Sequence, residues 1–352
     1  MIRIGLVGCG HIGTVHSYAL HQLATLGLTD ARVVAAYDID SGRAAENARH
    51  HDAEVCASID ELVDRVDVVW VATWTAAHCE SVELASARGV AIFCEKPLGP
   101  DLATATRVAA ALEVVPHQVG LVLRHAPVFG EVAARVAGER HGRVLSIALR
   151  DEQYFPIQGA YGSTWRADVE RAGGGTLLEH SIHDVDLLRS IMGDPVDVGA
   201  RVSSMFGHAG IDDAAALTLA YPGGAHGVLM SVWHQMLTRG STRRLEVFCE
   251  RGFLWTDDDY LGPLHVETDD GAVVVEGEAP AWIGDLAVPS VYAKPLAQYA
   301  QAALVFLEAL AESPARSGAP TAPDALEAHR VVDAAYRSAA AGGAPVTIGP
   351  SP

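Results

Sequence analysis

One stretch, Gly5-Leu6-Val7-Gly8-Cys9-Gly10-His11-Ile12-Gly13, constrains this chain more than any other. It closes a short apolar run, residues 2–7, and leads into residues 12–27, which carry a helical pattern. Glycines at 8, 10 and 13 make G-x-G-x-x-G at a strand-to-helix turn. Gly8 admits the tight turn, Gly10 lets backbone approach a pyrophosphate, and Gly13 lets helix and strand pack closely. The helix start, at His11 and Ile12, offers N–H groups and a positive dipole end to phosphates. A second apolar run, 33–37, ends at Asp38, whose carboxylate suits two ribose hydroxyls and repels a 2′-phosphate. The pattern predicts a dinucleotide site that favours NAD over NADP, with Arg43 as the residue that keeps NADP open. Asp40 reads as a solvent-exposed helix cap.

The same grammar continues to about residue 120. Helical patterns at 41–51, 60–65, 76–88 and 102–112 alternate with apolar runs at 66–72, 90–94 and 118–123. Strands alternating with helices mean βαβ units and a parallel sheet whose carboxyl edge receives ligands. The fold class is therefore α/β, a doubly wound Rossmann sheet over 1–123, followed by an α+β domain over 124–352. In that second part a helix at 128–138 precedes a long strand at 144–154, a polar aromatic loop and a helix at 177–192. Alternating segments at 198–206, 214–221, 225–233, 243–249 and 252–256 follow, with hairpin signals at Pro222-Gly223-Gly224 and Arg251-Gly252. Their succession predicts an antiparallel sheet. Residues 277–290 read as an irregular loop. Two closing helices, 295–312 and 323–340, flank a Ser/Pro/Gly/Ala linker, and the last is one that can pack back on the Rossmann domain.

Charge narrows the function. Lys+Arg 25 against Asp+Glu 44 gives −19, a surface that repels nucleic acid and anionic lipid. No apolar run reaches the ~18 residues of a membrane span, and the N-terminus lacks a signal peptide's apolar stretch. Five cysteines without C-x-x-C spacing fit reduced thiols. The expected setting is cytoplasmic.

Of the 25 basic residues only Lys96 and Lys294 are lysine. Lys96 leaves the apolar run 90–94 in Glu95-Lys96-Pro97, on the ligand edge of a parallel sheet, where an ammonium can hydrogen-bond a substrate oxygen. The bland alternative is a solvated lysine paired with Glu95; Lys294 reads as a surface residue. Further on, Gly173-Gly174-Gly175-Thr176 opens the 177–192 helix. Leu178, Ile182, Val185, Leu188 and Met192 form its apolar stripe. Glu179 and His183 are four apart and so adjacent, with Asp186 along the same line; His180 and Asp184 make a second such pair. A histidine beside a carboxylate makes a general base with its orienting acid. The alternative is two surface ion pairs. Glu and His at this spacing are half a zinc site, but no third ligand is evident, so no metal is expected. Arg124 at the domain junction and Tyr154, Tyr161, Trp165, Arg166 and His180 suit a polyhydroxylated ring, against packing or an interdomain ion pair. His234 reads as structural.

These residues carry a resemblance. G-L-V-G-C-G-H-I-G at 5–13, the acid at 38, V-A-T at 71–73, E-K-P at 95–97 and G-G-G-T-L-L-E-H-S-I-H-D-V-D at 173–186 stand in the order and spacing of the glucose–fructose oxidoreductase / inositol dehydrogenase / rhizopine catabolism (Gfo/Idh/MocA) family. The resemblance implies a Rossmann domain, a second domain with a large, mostly antiparallel sheet, bound NAD(P), and a homodimer or homotetramer formed through the open sheet face. It implies catalytic roles for Lys96 and His183, and a cofactor site of Gly8, Gly10, His11, Ile12, Gly13, Asp38, Thr73, Glu95 and Lys96. Glu179 stands where many members carry Asp. Ala76 and Ala77 replace a Pro-Asn-like loop, leaving His78 as a candidate cofactor neighbour only. The reading is an NAD-dependent oxidoreductase of a sugar, sugar derivative or cyclitol. His183 takes the hydroxyl proton, Lys96 stabilises the alkoxide and Glu179 tunes the pair. Two alternatives share the scaffold: an NAD-recycling lyase or glycoside-cleaving enzyme, and a non-catalytic dinucleotide sensor.

Overall fold

Apolar runs without polar alternation become strands buried on both faces. In the computed structural model β4 (Val68–Val71) and β5 (Ala91–Cys94) are wholly buried; the sheet also holds β1 (Arg3–Val7), β2 (Arg32–Tyr37), the exposed two-residue β3 (Glu54–Val55) and β6 (His117–Val119). They lie parallel in the order β3-β2-β1-β4-β5-β6. Helices α1 (His11–Thr25), α2 (Ser41–His51), α3 (Ile59–Val63), α4 (His78–Ala87) and α5 (Leu102–Leu112) connect them. Their starts follow the sequence's capping signals. Asp40 accepts Gly42 N–H and Arg43 N–H at the head of α2, Ser58 caps α3, and Asp101 caps α5. The chain order reverses between β1 and β4, the crevice where such sheets bind ligands. Every residue of β4 and β5 is buried, and the Trp70 and Phe93 rings stack at 4.0 Å.

The next stretch holds α6 (Pro127–Ala137), the eleven-residue β7 (Val144–Tyr154), a short α7 (Val169–Ala172) and α8 (Ile182–Met192). Strands β8 (Asp197–Ser203), β9 (Ala214–Ala220), β10 (His226–His234), β11 (Thr242–Cys249), β12 (Gly252–Thr256), β13 (Leu264–Thr268), β14 (Gly271–Val275) and β15 (Val346–Thr347) follow. With β7 they make a nine-stranded sheet, β14-β13-β12-β11-β7-β10-β9-β8-β15, antiparallel except for the β7–β10 pair. Side chains alternate faces. Ile147, Leu149, Asp151 and Gln153 of β7 point to the covered side, as do Leu229 and Trp233 of β10 and Arg243, Leu245 and Val247 of β11. Two long helices close the chain, α9 (Ser290–Glu312) and α10 (Ala322–Ala340).

The structure describes residues 1–288, 290–312 and 319–349. Most of the Ser/Pro/Gly/Ala linker and the Lys294 side chain lie outside what is described. Two compact units emerge: Met1–Val122 with Pro280–Leu326, and Leu123–Ala279 with Glu327 onward. The first passage between them falls between Val122 and Leu123, and the segment 280–326 returns to the first unit. There α9 packs on α1, Gln118 Nε2 donates to Ala302 O at 3.0 Å, and Tyr18 Oη donates to Ala287 O at 2.9 Å. Ala322 and Ala325, at the start of α10, belong to the first unit's core.

Candidate active site

The glycine turn is built for close approach. Gly8 has φ +93°, and a Cβ there would meet Ala72 backbone at 2.6 Å. A Cβ on Gly13 would stand 2.0 Å from Gly8 O, so α1 can pack on β1 only through glycine. Gly10 differs: a Cβ there meets nothing within 4 Å. Nothing in the protein requires a glycine at that point, and no side chain caps α1. Open space beside helix-start amides fits a pyrophosphate. Asp38 is tied to the turn, its Oδ2 accepting Cys9 N–H at 2.7 Å and its Oδ1 accepting Asp40 N–H at 2.8 Å. Burial, then the Asp38 charge, pushes the Cys9 thiol up to about 12, so Cys9 is not a nucleophile. Thr73 follows β4 next to Gly8, whose missing Cβ would lie 2.8 Å from Thr73 N.

Lys96 leaves β5 with its neighbours fixed. Glu95 is buried; its Oε1 lies 2.6 Å from His16 Nε2 and its Oε2 accepts Lys96 N–H at 3.2 Å. Burial raises the Glu95 pKa, but the His16 hydrogen bond and charge outweigh it, and the net shift is downward. Glu95 turns inward to His16, and the Lys96 charge acts on it in the same direction. Glu95 supports the turn from behind. His78 is buried too, with Nδ1 2.8 Å from Pro97 O and Nε2 3.2 Å from Thr73 O. It joins the ends of β4 and β5, and burial lowers its pKa.

In the second unit the triglycine segment departs from expectation. The helix predicted over 177–192 is two pieces. Thr176–His180 is one π turn, closed by Ser181 N–H to Thr176 O at 2.8 Å, and α8 starts only at Ile182. A π turn takes one more residue than an α turn, which rotates everything after it. The acids and His180 of this stretch also reach partners far along the chain. Glu179, 1% exposed, receives Arg166 Nε at 3.2 Å. His180 Nε2 lies 2.8 Å from Asp151 Oδ2, and its Nδ1 lies 3.2 Å from Gln153 Nε2. Asp184 takes Arg243 Nε at 2.7 Å. Asp186 takes both Nε and Nη2 of Arg124, at 2.8 and 2.6 Å. His183 is 9% exposed, on the first turn of α8.

The residues offered for a polyhydroxylated ring fall into two sets. Tyr154 and Tyr161 pair with ring centroids 5.3 Å apart, and the Arg166 guanidinium lies over Trp165 at 4.3 Å. Arg124, Arg166 and His180 are each engaged with an acid of their own unit, so their first task is to hold Asp186, Glu179 and Asp151. His234 stacks into no ring cluster; its Nε2 lies 3.7 Å from Glu152. The sequence reading passed over Asp151, Gln153, Arg243, Asp212 and Tyr336. A signal existed for three of them: Asp151 and Gln153 share parity with Ile147 and Leu149, and Arg243 with Leu245 and Val247. A charge on the covered face of a strand needs a partner.

A doubly wound sheet with a glycine turn and a ribose-type acid, joined to a unit on a large antiparallel sheet, defines a dinucleotide-dependent oxidoreductase. Residues 2–121 match the family model described as oxidoreductase family, NAD-binding Rossmann fold, and 129–255 match the GFO/IDH/MocA C-terminal domain. This chain belongs to the GFO/IDH/MocA family: an NAD-binding oxidoreductase acting on CH–OH groups. It is 31% identical to inositol 2-dehydrogenase of Rhizobium meliloti over 284 residues, 77% of this chain and 80% of that one. It is 30% identical to myo-inositol 2-dehydrogenase of Thermotoga maritima over 269 residues, 73% and 75% of the two chains. Its fold is similar to that of levoglucosan dehydrogenase in complex with NADH and L-sorbose, at TM-score 0.86 and 21% identity, covering 99% of each chain. No helix among the described residues is long and apolar enough to cross a membrane.

Proposed function

We propose that the chain is an NAD-dependent dehydrogenase of a sugar or cyclitol secondary alcohol, with Lys96 and His183 acting on the same hydroxyl. Gly8, Gly10, Gly13 and the first amides of α1, at His11 and Ile12, take the pyrophosphate; Asp38 takes the ribose and Thr73 lies beside the turn. Bound NAD would supply the hydride acceptor. His183 removes the hydroxyl proton as the carbinol hydrogen leaves. Lys96 stabilises the developing alkoxide with its ammonium. Glu179, fixed by Arg166, favours the imidazolium that forms. Trp165, Tyr154 and Tyr161 supply aromatic faces to the polyol. Arg124, Arg166 and His180 border it while holding their carboxylates.

The observation that carries this reading is the commitment of the acids that flank His183 in the chain. Asp184 and Asp186 are each committed to an arginine, Arg243 and Arg124, and Glu179 to Arg166. An imidazole set among anchored carboxylates in a family of CH–OH oxidoreductases is a general base. Relatives named inositol 2-dehydrogenase and a structural neighbour named levoglucosan dehydrogenase support the substrate class. Five free cysteines support a reducing, cytoplasmic setting.

The test is a panel of sugars and cyclitols with NAD or NADP, followed by absorbance of the reduced cofactor. NADH is expected to accumulate with at least one polyol, and Lys96→Met and His183→Ala should each lower turnover by ~10²-fold or more. Turnover of a glycoside or elimination substrate without net NADH would move the chain to the cofactor-recycling class. Wild-type rates in either variant would remove that residue from the mechanism.

A further inference from the structure

The triglycine run is shaped by two side chains that approach it from elsewhere in the second unit. Asp212 is buried, in the connection between β8 and β9. Its Oδ1 accepts Gly175 N–H at 2.7 Å and its Oδ2 accepts Leu177 N–H at 2.9 Å, while its backbone O accepts Thr176 N–H at 2.7 Å. Tyr336, on α10, donates its hydroxyl to Asp212 Oδ1 at 2.8 Å, and the Leu178 N–H faces that phenol oxygen. Successive amides from Gly175 to Leu178 are thus met by one carboxylate group, one carbonyl and one phenol. The glycines make room for them. A Cβ on Gly175 would stand 1.8 Å from Asp212 O, and one on Gly174 would stand 2.5 Å from Tyr336 Oη.

Asp212 is itself held on both sides. Ile211 packs in the cluster with Phe155, Ala172 and Trp233. Asp213 N–H donates to Ser203 O at 2.9 Å, and Asp213 O accepts Trp233 N–H at 2.8 Å. The carboxylate is therefore a fixed point of the sheet. The amides it takes are those whose placement decides that Thr176–His180 closes as a π turn. That turn fixes Glu179, through Glu179 N–H to Gly175 O at 2.8 Å, and sets the rotation at which α8 carries His183.

We propose that Asp212 and Tyr336 are positioning residues of the redox site, holding the π turn that fixes the angular phase between Glu179 and His183. The proposal rests on the reading that His183 is the base with Glu179 beside it. Neither Asp212 nor Tyr336 touches substrate or cofactor; both act through the backbone of the turn. Reacting geometry is sensitive enough that a displacement of about 1 Å can cost ~10²-fold in rate.

The experiment compares Tyr336→Phe and Asp212→Asn with wild type and His183→Ala in the full chain. Circular dichroism, melting and NAD binding are measured alongside steady-state kinetics on the polyol that wild type turns over fastest. Tyr336→Phe keeps the ring and all charges. It is expected to stay folded, to bind NAD within twofold of wild type and to lose kcat by roughly tenfold. Because the imidazolium loses alignment with Glu179, the acidic limb of its kcat–pH profile moves to lower pH. Asp212→Asn, which cannot accept both Gly175 N–H and Leu177 N–H, loses more. A merely structural role would lower the melting temperature while leaving KM, kcat per folded molecule and the pH limb at wild-type values, and that result overturns the proposal. So does wild-type kcat in Tyr336→Phe, whether or not Asp212→Asn folds. Full activity in His183→Ala, or no polyol activity in wild type, fails the underlying reading instead.

Discussion

Asp184 keeps its proton to higher pH than a surface carboxylate does. It is fully buried, as is Asp151, whose charge also acts on it. Burial pushes Asp184 up to about 7, with Arg243 pulling the other way. The groups facing the pair are Arg243, His180 and Asp259, with Ser181 as a neutral donor to Asp151. Arg243 can balance one of the two carboxylates, so the second keeps its proton. The folded pKa lies above the unfolded one near 3.9. The stabilisation from this group is therefore complete below about pH 4, declines as pH rises toward 7, and is level above. Asp184→Asn presents a permanent neutral donor to Asp151. Urea unfolding of both proteins at pH 5 and pH 8 should show wild type relatively more stable at pH 5, the advantage shrinking at pH 8. An unchanged difference would place the proton elsewhere. At this scale the sequence singles out Glu179, His183 and Lys96 by residue type and spacing. The pairings of Glu179, His180 and Asp184 were not legible, because Arg166, Asp151 and Arg243 arrive from a loop and two strands far apart in the chain.

Elements show the same contrast between two glycines of one turn. Gly13 is needed by the protein itself, Gly10 only by whatever approaches it. Gly13→Ala forces α1 away from the end of β1 and should cost about 1–3 kcal/mol, the usual penalty of overpacking. Gly10→Ala, at an ordinary φ of −73°, should leave the melting temperature unchanged and weaken NAD binding at least tenfold. Calorimetry for stability and titration for NAD separate the two; equal melting-point losses would contradict the division. Periodicity located α1, α2, α5 and β7 to within a residue or two because each has a cap or an uninterrupted pattern. It ran α8 and the preceding turn together because a π turn depends on Asp212 and Tyr336, which no local pattern announces. The β13–β14 hairpin was passed over since Gly271–Val275 is exposed along its length and has no buried alternation.

The whole molecule leaves one apolar face uncovered among its described residues. The outer side of the nine-stranded sheet carries Val228, Met230 and Phe248, each about 45% exposed; Val228 and Met230 line a shallow recess of about 530 Å³ together with Ala148, Ala216, Arg150 and Arg244. A contiguous exposed apolar patch marks an association surface, and we propose that a second copy of this chain covers it. Met230→Asp with Val228→Asp should halve the solution mass seen by light scattering at micromolar concentration. A wild-type monomer, or an unchanged mass in the double variant, would remove this face from the assembly. The order of the two architectures was legible at this scale, as the switch from alternating to successive strands near Pro127. The return of 280–326 to the first unit was not: the apolar face of α9 is generic, and only its packing on α1 gives it a home.

The buried row across the sheet has one more effect. Register places Ser231 and Arg243 opposite Asp151 on its two neighbouring strands. Slide β11 or β10 by one residue and every side chain changes sides. A slip of β10 would turn Met230 or Val232 inward to face Asp151 and strand Ser231 outside; a slip of β11 would carry Leu245 and Val247 out of the core, even where Arg244 replaced Arg243. The polar row is a key cut for a single lock: it makes the misaligned sheet too costly to persist, and so proofreads the pairing of three strands that the chain must bring together across a hundred residues.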